Sequence, residues 1–366
     1  MKNNKNKLIL GIETSCDDTA VALVNSKKEI LSNIVLNQYN KHFVFGGIVP
    51  EIAARAHLEM IREALEKSLN KALVSIDEID LICATGGPGL IGGLIVGTTF
   101  AKTLAWSLQK PFVVVNHLEG HALTARLVYD VDYPYLLVLV SGGHTQIIAV
   151  ISYGNYKRIS STLDDSAGET FDKAAKLLGL NQPGGVEIEK LSKYGDENVF
   201  KLPRPLLKSK NPNFSFSGLK TAFSRIINQI KLDDQIKCDL AASLQKSISD
   251  CIIDRTKLGI KKFKSMHILN EKLKLVVAGG VASNIKIRKD LDNLCKSENI
   301  TFYVPPIQLC TDNGAMIAWA GYEKYLNRKD DISDFSFKAR PRWPLDPSAY
   351  IYNPIMKKIG KKGVKA

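Results

Sequence analysis

The stretch NHLEGH, residues 116–121, sets His117 and His121 four apart, the interval that brings two imidazoles onto one face of an α-helix. Two such rings hold a divalent ion once a third donor reaches them. A carboxylate at Asp312, where LCTDNGAMIAWAG opens a helix, would complete a two-histidine, one-carboxylate set that keeps positions open for substrate. In the HExxH motif of zinc proteases the catalytic glutamate follows the first histidine, about 100° around the helix. Here Glu119 lies two residues on, about 200° from His117, so the spacing speaks for binding an ion and against peptide hydrolysis. A blander reading stays open at this point, in which both histidines are simply hydrogen-bonded polar residues. Glu13, Asp17 and Asp18 in GIETSCDDTA form a second acidic group. Carboxylates in such a turn bind Mg²⁺ with phosphates or act as a base, and they are also ordinary turn residues.

These residues need strands and helices to position them, and the chain spells out a repeated order. LILGIETSCDDTAVALV reads as strand, polar turn, strand, and YLLVLVSGGHTQIIAV, residues 135–150, repeats it. In each half a further strand ends in a double glycine and enters a helix, IDLICATGG up to Gly87 and KLKLVVAGG up to Gly280. Two related α/β lobes are therefore expected, each with small-residue loops at strand ends, where open sheets bind ligands. The expected boundaries are 1–132 for the N-terminal lobe and 133–325 for the C-terminal lobe, with an insertion over 160–230. A segment over 326–350 is expected to pack back on the N-terminal lobe, and a basic tail covers 351–366. On this division the histidines belong to the first lobe, with Asn116 as N-cap, and Asp312 to the second.

Gly87, Gly89 and Gly92 fit GxGxxG after a strand, but the next strand ends in Asn116 and His117 with no acid for a ribose, and Pro88 sits inside the turn. A dinucleotide fingerprint is thus incomplete, which leaves close helix–strand packing or a phosphate loop of another fold. The double glycines of SGG (Ser141 to Gly143) and AGG (Ala278 to Gly280) leave backbone N–H groups open to a phosphate or carboxylate.

With 366 residues and 45% hydrophobic composition, the chain exceeds what one core usually serves. Fifty Lys plus Arg against 37 Asp plus Glu, a formal charge of +13, suits an anionic partner. Much of the excess lies in 201–231, in 255–274 and in KKIGKKGVKA, as solvated surface or as a phosphate-contacting face. Six scattered cysteines without a CxxC pair argue for a reducing cytoplasm, with neither disulfide framework nor thiolate zinc site. The apolar run after the basic start is too short for a signal peptide. Residues 81–101 carry no charge, but their glycines and Pro88 argue for a buried strand, loop and helix, so no membrane role is expected.

Taken together, GIETSCDDTA, GGIVPEIAARAH, TGGPGLIGGLIVG, NHLEGH, LVSGGHT, AGETFDKAAKLLGL, FSFSGLKT, AGGVASN and LCTDNGAMIAWAG closely resemble the tRNA adenosine threonylcarbamoyltransferases, the bacterial TsaD family once mislabelled O-sialoglycoprotein endopeptidases. The likeness runs in order from about residue 8 to 345. It implies the α/β fold of actin, sugar kinases and the Hsp70 ATPase, with duplicated mixed-sheet domains. It also implies transfer of a threonylcarbamoyl group from threonylcarbamoyl-adenylate to the exocyclic amine of the adenosine beside the tRNA anticodon, with release of AMP. His117, His121 and Asp312 then look like ligands of one divalent ion, iron(II) or alternatively zinc. Leu139, Val140, Ser141, Gly142 and Gly143 resemble the family's substrate loop, and Asp172, Gly185 and Asn284 match nucleotide or substrate contacts. Glu189 stands where many members carry Asp, and Val186 where they often carry Pro. Asp17 is the candidate acid or base near the amine. The family implies tRNA, a TsaB-like paralogue and a TsaE-like ATPase as partners. The alternatives are an ATP-dependent kinase or ATPase of the same fold and a non-enzymatic tRNA-binding subunit; the first fits HLEGH with Asp312 poorly, because such kinases hold Mg²⁺ through phosphates and carboxylates.

Overall fold

The computed structural model describes residues 6–42, 45, 47–268, 272–328 and 332–349; the tail expected over 351–366 lies outside them. Strand β1 (Leu8–Glu13, LILGIE) is buried at every position, as a strand covered on both faces must be. It pairs antiparallel with β2 (Asp18–Asn25), and β2 with β3 (Ile30–Asn37). A short helix α1 (Tyr39–His42) and the long α2 (Pro50–Ala72) follow. The chain then adds β4 (Leu81–Gly87) parallel to β1, α3 (Ile91–Ser107), β5 (Phe112–Asn116) parallel to β4, and α4 (His117–Val128). The sheet order is β3-β2-β1-β4-β5. Because β1, β4 and β5 run the same way, their carboxyl ends at Glu13, Gly87 and Asn116 share one edge, where such sheets place ligands.

A second sheet begins with the meander β6 (Tyr135–Val140), β7 (Thr145–Ser152) and β8 (Asn155–Ser161). Four helices come next: α5 (Ala167–Leu177), α6 (Gly184–Ser192), α7 (Ser217–Ile227) and α8 (Asp234–Lys264). Then come β9 (Lys274–Ala278) parallel to β6, α9 (Ile285–Ser297) and β10 (Thr301–Tyr303). The order β10-β9-β6-β7-β8, read from β8, repeats the first sheet strand for strand. Where the first sheet has α1 and α2 between its third and fourth strands, the second has α5 to α8.

The last helix, α10 (Gly314–Asn327), departs from the sequence-based division. By its contacts the chain forms two units, one reaching Asp130 and including Asp312–Leu345, the other Val131–Thr311 with residues from Asp346. Asp312 and α10, expected in the second lobe, thus belong to the first unit. The reason is steric: residues Gly314 to Gly321 are all buried, and the glycines and alanines among them let the helix lie directly on β1, β2 and β4, where Gly321 meets Cys83 and Gly314 meets the backbone of Gly11 and Val21. A helix apolar on every side is a core element, and no local pattern says which core.

The segment that follows packs on the same unit. Phe335, Phe337 and Trp343 cover its hydrophobic core, the Arg340 N–H donates to the Gly86 carbonyl at 2.8 Å, and Gly89 N–H to that of Pro341 at 3.2 Å. The glycines of the β4–α3 turn serve packing. A Cβ on Gly93 would stand 2.2 Å from the Thr14 carbonyl oxygen, so the start of α3 lies against the turn after β1. No helix among the described residues is long and apolar enough to cross a membrane.

Candidate metal centre

Asn116 ends β5 and caps α4, its side chain accepting from the Leu118 N–H at 2.9 Å, while its own amide donates to the Trp343 carbonyl at 2.9 Å. That cap fixes where the helix begins, and hence where His117 and, one turn on, His121 point. Asp312 precedes Asn313, the N-cap of α10, whose side chain accepts from Met316 N–H. The two capped helix starts bring His117, His121 and Asp312 together, one donor atom from each lying within 4.8 Å of the others. The Asp312 Oδ1 is 3.1 Å from His121 Nε2 and 3.6 Å from His117 Nε2. The rings meet edge to face, centroids 4.8 Å apart.

Bonds of about 2.0–2.2 Å to a shared ion put neighbouring donors about 3–3.5 Å apart, which the two separations from Asp312 match; the set as a whole reaches 4.8 Å, so the donors would draw in slightly around one ion. The surroundings fit as well. His117 turns its other nitrogen, Nδ1, to Glu13 Oε2 at 3.0 Å and to the Ser15 hydroxyl at 3.1 Å, and Glu13 is held by the Thr85 hydroxyl and the Ser15 N–H. A carboxylate behind a ligating imidazole orients it and raises its basicity. Burial pulls the His117 pKa down, but the Asp312 and Glu13 carboxylates outweigh it and push the ring up to about 9. For Glu13, burial raises and the His117 charge and hydrogen bond lower, with a net shift downward. Asp18 is pushed to about 8 by burial and then by Asp17, Asp312 and Glu13, and its Oδ1 is buried without a hydrogen-bond partner among the described residues. Burial, followed by Asp312, also raises Asp17, against the Cys16 hydrogen bond that lowers it. Carboxylates that raise one another's pKa this way make a pocket whose field favours a cation.

The partner set of His117 gives a direct test. Glu13→Gln removes the acceptor charge behind the ring while keeping its shape, and divalent-ion affinity is expected to fall by about 10–100-fold. Competition with a chromogenic chelator reads this, and wild-type affinity in the variant would deny Glu13 that function.

His57, on α2, was not foreseen. It is fully buried, with Nδ1 2.8 Å from the Thr19 hydroxyl and Nε2 3.0 Å from the Cys16 carbonyl, and so holds the turn that carries Asp17. Its sequence signal is a histidine within the buried stripe Ala53, His57, Ile61, Ala64 and Ser68, spaced by three and four. Glu13 was visible as one of the acids grouped in GIETSCDDTA; its pairing with His117, 104 residues away, was not.

In the second unit, Leu139 and Val140 end β6 and Ser141 to Gly143 form the loop beyond it. Ser166 Oγ donates to the Gly142 carbonyl at 2.6 Å, and Gly168 lies so close that a Cβ there would stand 2.6 Å from the Ser141 carbonyl oxygen. Asp172 Oδ1 accepts from the Gly184 N–H at 2.8 Å, next to Gly185. Glu189 Oε1 accepts from Ile285 N–H at 2.7 Å, next to Asn284. Asn284 itself caps α9 through Ile287 N–H at 3.1 Å and donates to Gln245 at 2.7 Å. These contacts chain the predicted residues into one neighbourhood around α5, α6 and the starts of α6 and α9. Asp172, Glu189 and Asn284 each hold a helix N-terminus, which a reading as ligand contacts alone did not anticipate.

Two five-stranded mixed sheets of repeated order, the first carrying at its strand ends a two-histidine, one-carboxylate group that could hold a metal ion, define an actin-like α/β protein. HypF from T. kodakarensis shares this fold, with a TM-score of 0.57 at 16% identity over 89% of this chain and 49% of HypF. Residues 29–319 match the family model of TsaD, tRNA N6-adenosine threonylcarbamoyltransferase. A protein of that name from Chelativorans sp. (strain BNC1) is 50% identical over 98% of this chain and 99% of its own length, and one from Pelagibacter ubique (strain HTCC1062) is 49% identical over 94% and 97%. The chain belongs to the tRNA N6-adenosine threonylcarbamoyltransferase family.

Proposed function

We propose that this protein transfers a threonylcarbamoyl group to the exocyclic amine of the adenosine 3′ to the anticodon of tRNA, drawing it from threonylcarbamoyl-adenylate and releasing AMP. The observation that carries this reading is half-identity along nearly the whole chain to proteins named for the transfer, with HLEGH and Asp312 forming a metal-competent group. In the transfer the N6 lone pair forms a bond to the carbamoyl carbon, the bond from that carbon to the phosphate oxygen breaks, AMP leaves with its electron pair, and the nitrogen loses one proton.

His117, His121 and Asp312 would hold the divalent ion, iron(II) or alternatively zinc. Such an ion supplies positive charge opposite the phosphate and carboxylate of the adenylate. In the second unit the loop from Leu139 to Gly143 offers backbone donors suited to a phosphate or carboxylate, and Asp172, Gly185, Glu189 and Asn284 shape the neighbourhood of that loop. Asp17, its pKa raised by burial and by Asp312, takes the amine proton. Most of the acceleration comes from holding an activated mixed anhydride beside the amine. A TsaB-like paralogue and a TsaE-like ATPase complete the system in the cytoplasm.

With purified threonylcarbamoyl-adenylate, tRNA, and the TsaB-like and TsaE-like partners supplied, the wild-type protein is expected to form threonylcarbamoyladenosine, read by nucleoside digestion and mass analysis; no product would remove the reading. Asp17→Asn is expected to lower kcat by about 10²–10⁴-fold with the same metal content. Full activity in that variant would take the proton-accepting role from Asp17 alone.

A further inference from the structure

Helix α7 has a face that the transfer chemistry does not use. Leu219 and Phe223 are fully buried, and Ala222, Ile226 and Ile227 pack against the core of the second unit, which at about 100° per residue fills one side of the helix. The other side holds Lys220, Thr221, Ser224 and Arg225, continued just past the helix end by Asn228 and Gln229, and these line an open groove of about 440 Å³. Each offers an N–H or O–H donor, and none is a carboxylate. Lys190, Lys246 and Lys286 are paired with acids, whereas neither Lys220 nor Arg225 makes an ion pair among the described residues. The stretch from Lys201 to Lys231 contains five lysines and two arginines with no Asp or Glu; of these only Arg204 is paired, with Asp250, among the described residues. Surfaces usually intersperse the two signs, and a one-sign field raises the local concentration of an anionic partner.

We propose that this face of α7 grips the phosphodiester backbone of the tRNA, with Lys220 and Arg225 on phosphate oxygens and the hydroxyls and amides between them on phosphate and sugar oxygens. The proposal rests on tRNA being the substrate and adds where it is held. Lys220 and Arg225 stand on opposite edges of the polar face, about 140° apart around the helix and about 7.5 Å apart along it, an arrangement suited to neighbouring phosphates of a strand. Hydroxyl and carboxamide groups, which both donate and accept, suit the ribose 2′-OH between them.

The test compares full-length wild type with the double variant Lys220→Gln/Arg225→Gln, using fluorescently labelled tRNA titrated at KCl concentrations from about 50 to 200 mM. The slope of log affinity against log salt is expected to become shallower by about 1.5–2, and the KM for tRNA to rise about 10-fold, with kcat at saturating tRNA unchanged. The charge-keeping swap Lys220→Arg/Arg225→Lys should retain the wild-type slope, as should Lys71→Gln/Lys157→Gln, which removes two cations elsewhere. A wild-type slope and KM in Lys220→Gln/Arg225→Gln, while the wild-type protein transfers normally, overturns this face alone; an equal loss in Lys71→Gln/Lys157→Gln overturns it too, as diffuse charge. A wild-type protein that neither binds nor modifies tRNA overturns the substrate reading and this proposal together.

Discussion

His117→Ala and Asp312→Ala are each expected to abolish metal binding by this group and to cut transfer to tRNA by about 10³-fold or more, since a divalent ion held there would supply several kcal/mol of charge stabilisation. The expectation rests on geometry. The Asp312 oxygen lies within 3.6 Å of both ring nitrogens, so each of the three side chains is a third of the donor set. Removing Asp312 also leaves His121 buried with one nitrogen already lacking a partner among the described residues, and a buried polar atom left unpaired costs about 1–3 kcal/mol. Metal analysis of the purified variants gives a readout independent of activity, and Asp312→Asn, which keeps the volume, separates charge from packing. Wild-type metal content with wild-type yield in His117→Ala would take the ion out of the account.

Gly11→Ala is expected to be a strongly damaging single-methyl change in the first unit. A Cβ at Gly11 would stand 2.1 Å from the Gly314 carbonyl oxygen and 2.4 Å from the Ala318 nitrogen, both backbone atoms of α10 that cannot rotate away. Overpacking a close-packed core typically costs about 1–3 kcal/mol and more where the obstacle is backbone, so a loss of at least ~3 kcal/mol is expected. The effect should reach function, because the shift of α10 moves the Asn313 cap and with it Asp312. Urea unfolding followed by far-ultraviolet circular dichroism gives the stability, and chelator competition gives the ion affinity. Equal midpoints for Gly11→Ala and wild type would show that the helix does not press on β1 as described.

Much of the site was written in local patterns. The interval between His117 and His121, the capping residue Asn116 before them, and the wrong placement of Glu119 for hydrolysis all follow from helix period alone, and the structure realises the cap at 2.9 Å. The recurrence of strand, turn, strand and strand–GG–helix likewise announced two sheets of one order, which is what the strands form. The partners of these residues were less legible. Glu13 behind His117 spans 104 positions, and the Trp343 carbonyl that holds Asn116 lies 227 residues on; a backbone acceptor leaves no mark on residue type. His57 could have been singled out from the apolar stripe it interrupts, though the stripe does not say that its ring faces Cys16 and Thr19.

Residue order by itself determined the elements, their duplication and the two-histidine face, because helix and strand periods are properties of neighbouring side chains and are printed in short windows. Tertiary structure alone decided that α10 lies on the first sheet, carrying Asp312 to the histidines, and that Asp172, Glu189 and Asn284 hold helix starts. A helix buried on every side has no amphipathic direction to read, so its resting place depends on which surface offers glycine-sized gaps. Those gaps, at Gly11 and Gly314, exist only once distant stretches of chain have met.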